Sequence, residues 1–291
     1  MQTKNLIFTA DDLGRSEEQN RGILKAFRNG IITSSCLMCN FPYFELAIEE
    51  IIPQCKGIGI GVHLDIIEGK SLLNKTAKSL LCDINGNYKN NFVEIVYMAK
   101  DKKFLQEAEA EFRSQIEKTL SKTSVDHINS HVHTHAIPQI FELVCKLANE
   151  YHIPFVRTQF EKSYMIKSAS KHLNFIYPVN LIKVGILNTF SIKNKNIAKQ
   201  YGINTNDYFT GVRYTSFMDK DTVVEGLKVI PDDSTTEVLI HPYYFENCKK
   251  NEINKFGEYL LTQSPNLKNQ IENLGFKLCT FSDLSRKKIP E

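Results

Sequence analysis

Seven short apolar runs recur along this chain, each parted from the next by a helix-patterned stretch or a polar loop. They are Lys4–Ala10, Ile31–Cys39, Gly57–Leu64, Ser124–Asn129, Phe155–Thr158, Glu237–Ile240 and Phe276–Thr280. Apolar runs of this length, bounded by turn residues, read as strands buried on both faces, which belong to parallel sheets covered by helices. Helices are expected from about Glu17 to Asn29, Phe44 to Ile52, Phe92 to Lys100, Leu105 to Leu120, Pro138 to Tyr151, Ile253 to Leu261 and Ser264 to Asn273. Ser16-Glu-Glu-Gln19 is a capping box for the first, and Gly30 is its stop. Residues 65–90 read as a long loop, and the basic, polar stretch from about 163 to 205 as helical around Leu181–Leu187. No linker, repeat or low-complexity tract interrupts the alternation. The expectation is a single α/β domain over residues 1–291, an irregular (β/α) barrel of the TIM-barrel type, with a doubly wound sheet as the alternative.

A chain of 291 residues, 42% hydrophobic and 24% charged, has the material for such a core. With 36 basic against 33 acidic residues, it carries no electrostatic footprint for nucleic acid. No window reaches the roughly 18 apolar residues of a membrane helix. The start reaches Asp11-Asp12 before any long apolar run, unlike a secretory signal. Seven scattered cysteines, Cys36-x-x-Cys39 among them, read as reduced core thiols rather than a metal or redox site. A cytoplasmic location without nucleic-acid or membrane partners is therefore expected, with the oligomeric state open and a homodimer as a guess.

The polar residues are not spread evenly. Asp11-Asp12, His63, the His127–His135 cluster, Arg157 and His241 all fall at or just beyond the C-terminal end of an expected strand. In parallel α/β folds that edge carries the active site. Adjacent acids on an extended strand point to opposite faces, so Asp11 and Asp12 share a site only if the chain bends, and Leu13-Gly14 offers a bend. Alone, the pair also suits a solvated loop opening, and a lone His63 suits a hydrogen-bonded core residue. The stretch Asp126-His-Ile-Asn-Ser-His-Val-His-Thr-His135 is more telling. If extended, it sets His127, Asn129, His131, His133 and His135 on one face, and neutral imidazole is a common divalent-metal ligand. His241 suits a general acid or a strand cap, and Arg157 a substrate contact or an ion pair. Phosphate-binding loops, a dinucleotide fingerprint and the G-x-S-x-G elbow are absent.

In order along the chain, Thr9-Ala-Asp-Asp-Leu-Gly14 with Asn20-Arg-Gly-Ile23, Gly61-Val-His-Leu64, His127-Ile-Asn-Ser-His-Val-His-Thr-His135 before Pro138, and Glu237–Pro242 resemble the blocks of the YdjC-like carbohydrate deacetylases, the chitooligosaccharide deacetylases among them. The resemblance implies an irregular (β/α) barrel and a hydrolase that removes an N-acetyl group from a sugar or short oligosaccharide. It implies a divalent metal, zinc or magnesium, on Asp12, His63 and His131, with Asp11 as base and His241 as acid. His133, His135, Arg157 and Tyr243 are then the expected substrate contacts. Two departures stand out: Asn129 replaces the usual Asp, and Tyr243 replaces a common Gly after His-Pro. The chain has no Trp, so ring stacking on a sugar falls to Tyr and Phe, with Tyr243 and Tyr244 the first candidates. The alternatives are another barrel metallohydrolase, such as a phosphoesterase, and a catalytically silent carbohydrate-binding protein of the same fold.

Overall fold

A computed structural model describes residues 4–73, 79–166 and 176–286. Eight strands form one all-parallel sheet: β1 (Lys4–Leu13), β2 (Ser34–Leu37), β3 (Gly59–Leu64), β4 (His127–Ser130), β5 (Phe155–Val156), β6 (Tyr208–Thr210), β7 (Thr235–Ile240) and β8 (Phe276–Leu278). Their order is β5-β4-β3-β2-β1-β7-β6, with β8 beside the lower half of β1. Around them lie α1 (Glu17–Asn29), α2 (Phe44–Leu46), α3 (Phe92–Met98), α4 (Lys102–Leu120), α5 (Pro138–Glu150), α6 (Tyr177–Gln200), α7 (Lys220–Lys228), α8 (Ile253–Thr262), α9 (Pro265–Asn273) and α10 (Phe281–Arg286). The sheet curls, and β5 and β6 approach through Asn204 without forming a ladder. This is the expected irregular α/β barrel.

Several boundaries follow directly from side-chain chemistry. Ser16 Oγ accepts from the Gln19 amide at the start of α1, and Glu17 and Glu18 complement the positive end of the helix. Gln19 does not return the favour as a capping box expects: its side-chain amide donates to the Asp11 carbonyl (2.9 Å). Asn91 and Glu94 form a reciprocal capping box on α3, and Pro138 stands in the first turn of α5, where no amide hydrogen is needed. The stretch after Tyr43 winds from α2 through a π turn (Ala47–Ile51) to a 3-10 turn (Ile52–Gln54) instead of one regular helix.

Two apolar clusters cover one face of the curled sheet, with Ile60 in the first and Val62 and Leu64 in the second on the same side of β3. One gathers Leu6, Phe8 and Ile240 with Ile23, Leu227, Leu267 and Ile271. The other packs Val62, Leu64 and Ile128 against Phe104, Phe112, Ile116 and Phe141. Elements absent from the sequence expectation are β6, α7 and α10. The first is three residues between polar flanks, and α7 starts with an Asp219/Thr222 box rather than a Ser/Thr-x-x-Glu signal. Between 163 and 205 the helix is α6, and residues 167–175 lie outside the described residues.

Candidate active site

The site begins with an irregularity in β1. Thr9 and Ala10 pair with Ser34 and Ser35, but the next pairing is Leu13 with Leu37, so β1 spends three residues where β2 spends two. The extra residue makes a bulge, and Asp12 takes a left-handed φ of 67°. That turn brings both acids to the same end of the barrel. The bend therefore lies at Asp12 itself, one residue ahead of the expected Leu13-Gly14.

Asp12 is held by two histidines and an arginine. Its Oδ1 lies 3.1 Å from His63 Nε2 and 3.0 Å from His131 Nδ1, and its Oδ2 accepts from Arg15 (3.0 Å). The ligand atoms of Asp12, His63 and His131 all lie within 4.8 Å of one another. His63 Nδ1 donates to Asn129 Oδ1 (2.6 Å), which fixes the ring with Nε2 turned towards Asp12. On the far side of His131, Nε2 donates to Glu68 (3.0 Å), itself gripped by both oxygens on Arg15. Burial works against a charged His131, but its bonds to Asp12 and Glu68 win and push its pKa up to about 10. Burial would likewise raise Asp12, yet the two imidazoles hold its carboxyl well below the usual range.

Asp11 faces a different partner. Arg157 donates to both its oxygens (2.6 and 2.8 Å), and the same guanidinium donates to Glu237 on β7 through Nε and Nη2 (3.0 and 2.6 Å). Burial opposes ionisation of Asp11, but Arg157 overrides it and keeps the carboxylate charged. The Cys36 thiol donates to Asp11 Oδ1 (2.7 Å), and the Asn129 amide donates to Cys36 Sγ (2.9 Å). Asp11, Cys36 and His63 form a second compact donor set. Burial and the neighbouring Asp11 charge push the Cys36 thiol well above its ordinary pKa, which disfavours the thiolate a metal needs.

The histidine cluster departs most from expectation. β4 ends at Ser130, and the chain then enters a 3-10 turn with left-handed φ at Val132 (51°) and His133 (59°). The five polar residues therefore do not share a face. Asn129 and His131 reach the triad, whereas His127 sits at the other end of β4, bonded to Asp126 (2.7 Å) and stacked on Phe281. A Cβ on Gly61 would stand 2.3 Å from the His127 ring, so that glycine is required by the base of the barrel, not by the site. His133 lines the site cavity with an unpaired Nδ1, and burial, then the Arg157 charge, pushes its pKa down to about 3. His135 is fully buried and pinned by Ser130 Oγ (2.6 Å) and the Arg157 carbonyl (3.1 Å).

Two expected substrate contacts thus have other roles here. Arg157 has no exposed surface and all three nitrogens on carboxylates, and His135 props the Arg157 backbone. His241 follows β7 and lines the same cavity as Asp11, His63 and His131. Burial disfavours its charged form, but Glu258 and the two site aspartates raise its pKa. Its position depends on Gly22 of α1, where a Cβ would stand 2.2 Å from the Pro242 carbonyl. Tyr243 lines a second, larger cavity with Arg15 and Glu68, its ring parallel to Phe245. Cys36, Glu68, Arg15 and Glu237 were not expected at the site. Only Glu237 carried a signal, an acid inside an apolar strand.

Six of the seven cysteines are buried, and Cys248 is exposed. No helix among the described residues is long and apolar enough to cross a membrane.

A family model described as "YdjC-like protein" matches residues 5–273. The chain is similar to a carbohydrate deacetylase of Clostridium beijerinckii, 34% identical over 196 residues that cover 66% of this chain and 77% of the relative. It is also similar to a carbohydrate deacetylase of Brevibacillus brevis, 27% identical over 284 residues, or 96% and 99% of the two chains. Among solved structures, an Enterococcus faecalis protein provisionally described as a cellobiose-phosphate cleavage protein superposes with a TM-score of 0.75 at 22% identity, over 98% of this chain and 99% of that one, a likeness of fold.

Proposed function

The chain belongs to the YdjC-like family, and on that premise we propose that it is a metal-dependent hydrolase that removes the N-acetyl group from an N-acetylated sugar or short oligosaccharide. The observation that carries this reading is the compact Asp12–His63–His131 donor set with the ionised Asp11 next to it in the chain. One carboxylate and two imidazoles suit a divalent cation, zinc before magnesium, because magnesium prefers oxygen ligands. A cation held by these three residues supplies acidification of water towards a neutral pKa and polarisation of a carbonyl.

The remaining chemistry belongs to the chain. Asp11, kept ionised by Arg157, takes a proton from the attacking water as the water oxygen joins the acyl carbon. Arg157 and Glu237 hold the Asp11 carboxylate in place without touching substrate. Asn129 holds the His63 ring through Nδ1, so that Nε2 is the nitrogen turned to where a cation would sit. His241, biased towards its charged form, gives a proton to the departing amine. His133 is neutral and has an unspent nitrogen with which to bind substrate.

The test is acetate release from N-acetylglucosamine and its short oligomers with added zinc or magnesium. The reading expects activity that is lost with chelator and in Asp12→Ala; activity surviving both removes it.

A further inference from the structure

Two cavities open on the site. One, of about 440 Å³, is walled by Asp11, His63, His131 and His241 and, beside a few polar groups and Lys183, mainly by Phe92, Val93, Val132, Ile186, Leu187 and Val212. The other, of about 1020 Å³, begins at Arg15 and Glu68 and carries Asn40, Phe41, Tyr243 and Phe245. The triad lies between them, since Glu68 and Arg15 of the larger cavity touch His131 and Asp12.

Their chemistry differs in a way that sorts the parts of a substrate. A pyranose directs hydroxyls outwards around its ring, and each one buried without a partner costs about 1–3 kcal/mol. The smaller cavity offers few partners. Ser130 is spent on His135 and Thr215 on the carbonyls of Gly211 and Val212, and the histidines and Asp11 belong to the reaction. Its other walls are five aliphatic side chains, one phenyl ring and the exposed Lys183, a mainly apolar lining suited to an alkyl chain. It is also far larger than one acetyl methyl requires, and Val93, Val132 and Ile186, 75%, 45% and 42% exposed, continue the apolar surface outwards. The larger cavity, with charged and amide groups beside aromatic rings, suits the sugar.

We infer that the smaller cavity receives the acyl group, and that the chain hydrolyses N-acyl amino sugars with acyl groups longer than acetyl. This rests on the deacetylase reading of the same triad and names its substrate class. The reaction balances as a hydrolysis. The water oxygen bonds to the acyl carbon, the C–N bond breaks, the amine gains a proton, and a carboxylate leaves, with nothing oxidised or reduced.

The experiment compares N-acetyl-, N-butanoyl- and N-hexanoylglucosamine with the zinc-loaded full chain, following release of each acid. Each buried methylene is expected to raise kcat/KM about fourfold, so hexanoyl, with four more than acetyl, should exceed it by up to about 250-fold. Ile186→Trp, which narrows the cavity, should pull the hexanoyl-to-acetyl ratio back towards one. Hexanoate should also inhibit the native protein more strongly than acetate, a readout that stands if the variant fails to fold. A native ratio below one, with acetate no weaker an inhibitor than hexanoate, overturns the acyl pocket and leaves the deacetylase reading intact. Release of no acid from any of the three amides overturns both.

Discussion

Asp11 and Asp12 are adjacent in the chain, equally buried, and placed in opposite surroundings. Asp12 keeps one oxygen on Arg15 and turns the other onto two imidazoles, which give up a proton and can share their nitrogens with a cation. Asp11 looks onto a guanidinium, which never gives up its proton and whose nitrogens are already taken. On the proposed reading, the same residue type serves as a ligand in one position and a fixed anion in the next. The bulge at Asp12 allows this, because an unbroken strand would have sent the two carboxylates to opposite faces of the sheet.

The sharpest way to break this comparison is to neutralise each acid separately. Asp12→Ala should abolish zinc binding by titration calorimetry and lower kcat/KM by about 10³-fold or more, the several kcal/mol a bound metal contributes. Asp11→Asn should lower kcat/KM by about 10²- to 10⁴-fold, as loss of a general base does, with zinc affinity changed only a few-fold. Equal loss of zinc affinity in both variants would dissolve the division of labour.

Removing the partner of Asp11 probes stability rather than chemistry. Arg157→Met leaves Asp11 and Glu237 facing each other, buried and without a cation. A broken buried pair of this kind costs about 3–5 kcal/mol, read as a lower denaturation midpoint at unchanged slope. Asn129→Ala acts on the other acid's side, since it frees the His63 ring to change tautomer. Its expected cost is about 10- to 100-fold in zinc affinity, with a smaller change in melting temperature than Arg157→Met.

Much of this was legible in the sequence, and the exceptions have physical causes. Strand period and glycine placement suffice to put Asp11, Asp12, His63 and His241 at one barrel edge, because those residues close apolar runs that have to be buried. The His127–His135 stretch misleads because alternation holds only while the chain stays extended. Two left-handed residues that are not glycine, Val132 and His133, announce themselves by no composition signal. Arg157 sits at a strand end like the others, and whether it meets substrate or carboxylate depends on Glu237, eighty positions away. Glu68 comes from a loop whose path is set by contacts with α4, among them Glu111 bonding Ser71 and Leu72, which no local pattern encodes.

A third buried acid sharpens the contrast at the smallest scale. Among the described residues no cation pairs with Glu161, though the Arg213 charge favours its ionised form; its oxygens accept from the amides of Gly211, Val212 and Arg213, the turn that sets Val212 in the apolar cavity. Burial therefore prevails over those amides and pushes its pKa up to about 7, the reverse of Asp11. The sign follows from linkage. Between about pH 4.5 and 7 the folded state keeps a proton on Glu161 that the unfolded chain has released, so this group's contribution to stability falls as pH rises through that window and levels off above it. Glu161→Gln removes the titration, so native stability relative to the variant should drop by about 1–3 kcal/mol from pH 4.5 to 7.5, at 1.36 kcal/mol per pKa unit. Denaturant midpoints measured across that range check it, and parallel curves for the two proteins would mean that the turn amides, like Arg157 at Asp11, suffice to hold the charge.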